Sequence, residues 1–169
     1  MGPGHLGIAF AAKPAAPKIP LWVLLVASEA LDLLCFGFTA VGVEKFGVSH
    51  ADIAEGIKIL VPGSIPWSHG LFMSIAWSVV AATITYFVYH DRRASSIVGL
   101  VVLSHWLLDF IVHLPDLPLL FNGSPKVGLG LWGTGPGLLV SGFLEIALLA
   151  GGIAFYLVTR KQKSLKEQK

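Results

Sequence analysis

The stretch SIVGLVVLSHWLLDFIVHLPDLPLL, residues 96–120, decides how the chain is read. It is long and apolar enough for a membrane-spanning helix. Yet it carries His105, Asp109 and His113 at a spacing of four, which puts all three on one helical face. An ionisable side chain at the bilayer centre costs about 3 kcal/mol even on lenient scales unless it is paired, hydrated or bound to a metal. Three in one run need a compensating reason. The same interruption recurs outward from this stretch. Glu29 and Asp32 break the apolar run 21–43, His69 heads the run 66–89, and Glu145 lies within 138–158. Four apolar segments that each bring carboxylate or imidazole point to one shared polar site.

Composition agrees with that reading. Of 169 residues, 54% are hydrophobic and only 13% charged, about half the charge expected of a soluble domain. The expected fold class is therefore all-α, a polytopic membrane protein with a bundle of about four transmembrane helices in one domain. The spans fall at about 20–43, 66–90, 95–114 and 137–159, with residues 1–19 as a re-entrant or surface segment and 160–169 as a basic tail. Ser95 and Ser96 are expected to cap the third span.

The basic residues gather in three places, Lys13 with Lys18, Arg92 with Arg93, and the tail from Arg160. By the positive-inside rule all three belong in the cytoplasm, which an even number of spans satisfies with both termini inside. The tail reads as a topology signal, not a nucleic-acid site. Trp67 and Trp132 suit the outer boundary, and Trp22, Tyr86 and Tyr89 the inner one. Cys35 is the only cysteine, so neither an intrachain disulfide nor a cysteine-based zinc site is available.

Two placements are open for residues 1–13. They form either a surface-lying or frayed segment, or a half-helix that carries His5 toward mid-bilayer while Lys13 stays at the surface, which is allowed where protein surrounds it. The loop 44–65 is expected to hold a short amphipathic helix over residues 48–60, after a Ser49 cap, lying as a lid. Gly128, Gly130 and Gly133 match a dinucleotide fingerprint in letters only, since no strand precedes them.

The strongest chemical signal is His105 with Asp109. One helical turn apart, they either close on one metal ion, pair as ligand and orienting group, or form a hydrogen-bonded pair that joins helices. Glu29 and Asp32 share a face, and two such neighbouring carboxylates do not both stay ionised without a cation or a proton between them. His69, Asp109 and Glu145, with His105, fall in the outer half of the bundle, and Asp32 lies beneath. Such nitrogen and oxygen donors suit zinc, with manganese or iron as the carboxylate-rich alternatives. His113 and Asp116 either line the mouth of the site or cap the third helix. Ser68 and Ser104, each just before a histidine, either orient those rings or bond backbone carbonyls. Zincin, Walker A and nucleophile-elbow patterns do not occur.

His5 near the start, Pro66-Trp67-Ser68-His69-Gly70 and Ser104-His105-Trp106-Leu107-Leu108-Asp109, followed by His113-Leu114-Pro115-Asp116, resemble the YdjM-like family of membrane-bound metal-dependent hydrolases. That family is in turn distantly similar to zinc-dependent phospholipase C and related single-strand nucleases, whose metal clusters use HxxxD and HxxxE pairs. His105 and Asp109 match the first pair. Ser141 stands where the second would need a histidine before Glu145, so the resemblance implies one or two metals rather than three. It also implies His5 as a ligand, which requires the re-entrant half-helix, and a bacterial inner membrane.

The expectation is therefore a membrane-embedded hydrolase that cleaves an ester or phosphoester of a lipid or lipid-linked substrate with metal-activated water. His5, Asp32, His69, His105 and Asp109 are the expected metal residues, and Glu145, or Glu29, the catalytic base. The rivals are a proton or metal-ion transporter, against which the lack of a visible repeat or broken helix counts, and a non-catalytic accessory protein. A homodimer would supply the walls that four spans lack.

Overall fold

A computed structural model describes residues 2–48 and 60–168. The chain is mostly helical. Helix α1 (Gly4–Ala12) starts beside Pro3 and stops at Lys13, because Pro14 has no N–H to continue the bonding. The Lys13 ammonium then donates to the carbonyls of Pro17, at 2.9 Å, and Ile19, at 2.7 Å. This folds the proline linker back toward α2 (Leu21–Ser28), and α1 is thus a half-helix packed in the bundle against α2, α6 and α7.

Helix α2 is followed by α3 (Ala30–Ala40), and the two meet at Glu29 with a 57° bend. A straight span was expected over 20–43. The bend needs no proline. Ser28 bonds back to the Leu25 carbonyl at 2.9 Å, and the Ser28 carbonyl is taken by the His105 ring at 2.7 Å. A side chain bonded to the backbone at the break is a recognised cause of a sharp kink. The second span also breaks. Helix α4 (Pro66–His69) is separated from α5 (Leu71–Tyr89) by Gly70, which is extended and lies so close to the carbonyls of Pro66 and Leu120 that a Cβ has no room.

Helix α6 (Arg92–Val112) returns beside α5 as a tight hairpin, with Gly99 admitting the Ser78 carbonyl. Its cap is Asp91, whose carboxylate accepts from the Ala94 amide at 3.0 Å. Ser95 and Ser96, the expected caps, lie inside the helix and donate to the carbonyls of Asp91 and Arg92. The Ala94 amide and the Lys18 ammonium, 3.0 Å away, hold the Asp91 carboxyl below its ordinary range.

Helix α7 (Gly135–Glu167) is one rod that runs through the basic tail instead of stopping near 159. At about 50 Å it is longer than a bilayer core. It meets α1 where Gly7 and Gly152 touch. A Cβ on Gly7 would strike the Leu148 carbonyl, and one on Gly152 would strike the Gly7 carbonyl. Small residues at a crossing let backbones approach this closely.

Helices α5, α6 and α7 are each long and apolar enough to cross a membrane, and the bent pair α2–α3 makes a fourth if counted as one span. The distribution of side chains is inverted relative to a soluble domain. Phe72, Val79, Phe87, Leu139, Phe143 and Ile146 face outward, whereas His5, Ser68, His69, His105 and Asp109 are buried.

Two antiparallel two-stranded sheets were not expected. Strand β1 (Lys45–Val48) pairs with β2 (Leu60–Ser64), and β3 (Leu117–Pro118) with β4 (Lys126–Val127). Val48 and Leu60, the ends of the expected lid helix, are paired strand residues, and the rest of that segment lies outside the described residues.

Candidate metal centre

Four elements converge on the Asp109 carboxylate. His105 reaches it from one turn earlier on α6, His69 from the end of α4, His5 from the start of α1, and Asp32 lies across from it on α3. His69 Nε2 is 3.2 Å from Asp32 Oδ1 and 3.4 Å from Asp109 Oδ2. His105 Nε2 is 3.5 Å from Asp32 Oδ1 and 3.2 Å from Asp109 Oδ2. On the other carboxylate oxygen, His5 Nε2 is 3.3 Å and His113 Nε2 3.9 Å away. His5 stacks on His105 with ring centroids 3.7 Å apart.

The proton positions on these rings follow from their other nitrogens. A carbonyl only accepts, so His105 Nδ1, 2.7 Å from the Ser28 carbonyl, carries the hydrogen. Ser68 donates its single hydroxyl proton to Glu44 Oε2 at 2.7 Å, so His69 Nδ1, 2.9 Å from Ser68 Oγ, is the donor there. His113 Nδ1 faces Asp116 Oδ1 at 3.1 Å in the same sense. With neutral rings, the Nε2 atoms of all three are acceptors that lie 3.2–3.9 Å from carboxylate oxygens. Acceptors facing acceptors repel unless a cation or shared protons lie between them.

The separations favour a cation. Bonds of about 2.0–2.1 Å arranged tetrahedrally put neighbouring ligand atoms about 3.3 Å apart. The four histidine-to-carboxylate separations among His69, His105, Asp32 and Asp109, four of the six edges of such a set, span 3.2–3.5 Å. Both His5 ring nitrogens and His105 Nε2 are buried without a hydrogen-bond partner among the described residues. Orphaned buried nitrogens cost free energy that a metal bond recovers. The cluster can hold a metal ion. Its two candidate groupings are His5, His105 and Asp109, and Asp32, His69 and His105.

The supporting contacts have the form expected of metal ligands, whose second ring nitrogen is normally tied to a fixed acceptor. Glu44 is the residue that sequence reasoning missed. It stands just past the first apolar run, where an acid reads as ordinary loop. In the fold it is buried, accepts from the amides of Trp67 and Ser68 at 2.8 and 2.9 Å, and locks the Ser68 hydroxyl. The Trp106 indole donates to the His69 carbonyl at 2.8 Å, fixing the same turn from α6. Of the two serines that precede histidines, Ser68 orients its ring, while Ser104 bonds the Val101 carbonyl.

His113 takes the helix-end position, one of the two roles left open by the sequence. It is the residue at the α6 C-terminus, and its ring links Asp116 to the Asp109 side of the cluster while packing on Trp132. Glu145 is not among the residues drawn together. Its carboxylate accepts from the Gly2 amide at 3.1 Å, against the first turn of α1. Glu29 stands at the α2–α3 bend with one carboxylate oxygen buried and, among the described residues, without a hydrogen-bond partner.

No family model, curated protein or solved structure matches the chain. The likeness to YdjM-like proteins rests on the short motifs alone.

Proposed function

We propose that the protein is a multi-pass membrane hydrolase that depends on a divalent metal, zinc before manganese or iron, and cleaves an ester or phosphoester of a lipid or lipid-linked substrate. The observation that carries the reading is the convergence of two histidine nitrogens on two carboxylates at 3.2–3.5 Å, separations that one bound ion can bridge. A zinc-class ion there supplies a Lewis acid and lowers the pKa of a coordinated water toward 7. His69, His105, Asp32 and Asp109 would hold it, with His5 and His113 on the far oxygen of Asp109.

The lipid class is supported by the one open side of the cluster. The Asp32 side chain is 38% exposed, whereas those of His5, His69, His105 and Asp109 are 0–4%. Leu33 and Phe36, beside Asp32 on α3, are exposed and apolar. Such a flank suits an amphiphile arriving sideways with its head toward the ion. Glu29, one turn before Asp32, is the general base of this reading. Glu145 is engaged by the α1 terminus instead.

The placement in a bacterial inner membrane with both chain ends cytoplasmic is part of the proposal. It is supported by the gathering of basic groups at one end of the molecule. Lys18 pairs with Asp91 beside Arg92, and Lys13 shares a groove with Arg160 and Lys163. Kinship with the YdjM-like family is likewise proposed, on the same histidine and aspartate motifs.

The test is turnover of a panel of phospholipids and lipid-linked phosphates by the metal-loaded protein, with His105→Ala beside it. Metal-dependent release of product that His105→Ala lacks is expected, and equal turnover by both sinks the reading. The bent span α2–α3 and the half-helix α1 support a second one, since broken helices around a polar site are the build of secondary transporters. Metal uptake into liposomes without turnover would favour it.

A further inference from the structure

The end of the bundle away from the metal cluster carries a feature that the proposed reaction does not use. Helix α1 starts near His5 and ends at Lys13, and α6 runs from Arg92 toward Asp109, so both lead from one end to the other. At the basic end a groove of about 420 Å³ is lined by Lys13, Pro17, Tyr156, Thr159, Arg160 and Lys163. Its charge is not balanced locally. The Lys13 ammonium is held by two backbone carbonyls, and the Lys163 carboxylate neighbour, Glu167, is 3.8 Å away with both side chains exposed. Among the described residues no ion pair neutralises Lys13 or Arg160. Burial, and after it the Lys163 charge, hold the Lys13 ammonium below its ordinary range.

The rest of the groove is apolar. Pro14, Pro17 and Tyr156, which leans on Phe10, form it, and Phe155, Leu157 and Val158 are exposed beside it on α7. We propose that this groove binds the phosphate headgroup of an anionic glycerophospholipid, with its acyl chains laid along α7. Arg160 offers planar paired donors suited to phosphate oxygens, and Lys163 a mobile point charge. Basic pockets between helices at the cytoplasmic surface take such headgroups. A free phosphate would use the cations but not the apolar wall, so the geometry commits to the lipid.

The test is native mass spectrometry of the full chain in detergent, titrated with phosphatidylglycerol or with phosphatidylcholine of the same acyl chains. Wild type should retain one phosphatidylglycerol in preference to phosphatidylcholine. Arg160→Gln/Lys163→Gln should weaken that binding roughly thirty-fold, from about a factor of five per basic side chain at an anionic surface. Lys161→Gln/Lys166→Gln removes the same charge from outside the groove and should change it less than about three-fold. Equal losses in the two double variants would show only diffuse attraction to the tail and overturn the proposal. So would full competition by millimolar inorganic phosphate, or no preference between the two lipids. Metal content of the Arg160→Gln/Lys163→Gln protein reports on folding independently, and its retention makes a loss of lipid interpretable.

Discussion

The two oxygens of Asp109 face differently built halves of one site. On the Oδ2 side, His69 and His105 have their second ring nitrogens tied to Ser68 and to the Ser28 carbonyl, and Asp32 closes the set. On the Oδ1 side, His5 has no partner for its Nδ1 and is held by stacking on His105 and by the α1–α7 contact at Gly7 and Gly152. Ligands fixed by outer contacts bind a metal without reorganising, whereas a ring on a half-helix must be ordered by the ion. On the proposed reading, the difference puts the primary ion in the anchored half and makes the His5 half the adjustable one.

The variant that removes both halves should have the largest effect. Asp109→Asn is expected to weaken metal affinity by more than about 100-fold, beyond the range for supporting residues. Competition against a chelator of known affinity measures it, and a loss below ten-fold would break the comparison at its centre. Ser68→Ala and Glu44→Gln act only on the anchored half, and each should cost about 10–100-fold by the same assay. Unchanged affinity in both would mean that the Glu44–Ser68–His69 chain is structural packing alone.

How far these residues were legible depended on what the sequence could not hide. His105, Asp109, Asp32, His69 and His5 stand out because an apolar run offers them no solvent, and the fold brings all five together. Rotation about the helix axis is not written in spacing. Glu145, acidic and in an equally apolar run, turns toward the α1 terminus instead. Glu44 was invisible because its burial depends on β1 and β2 carrying the chain back over α4. The bend at Glu29 had no proline or glycine to announce it. Its cause is a histidine far along the chain. The helical class, the three or four span-like apolar segments and the apolar exterior were readable from the sequence, whereas the division into seven helices among the described residues, both breaks and the small sheets came from tertiary contacts.

Effects on the adjustable half should be smaller. Gly7→Ala forces a Cβ into the Leu148 carbonyl and is expected to destabilise the protein by about 1–3 kcal/mol, as overpacking does. A lowered thermal midpoint in detergent with metal still bound is the expected result. A midpoint equal to wild type would mean that α1 docks loosely. His5→Ala should lower metal affinity less than about ten-fold, because its outer nitrogen has no supporting contact to lose. A larger loss than in Ser68→Ala would reverse the ranking of the halves. Glu145→Gln should leave metal affinity within a factor of about two, since a neutral amide oxygen still accepts from Gly2. A loss comparable to that of Asp109→Asn would place Glu145 at the ion.

The most direct measurement is elemental analysis of the full chain, purified in detergent without a metal-binding tag, beside His105→Ala. The account predicts about one or two equivalents of a divalent transition metal, zinc first, in wild type. It predicts little or none in a His105→Ala protein that elutes as the same folded species. Folded wild-type protein that takes up no metal even after reconstitution would contradict it, and shared protons would then be what holds the histidines and aspartates together.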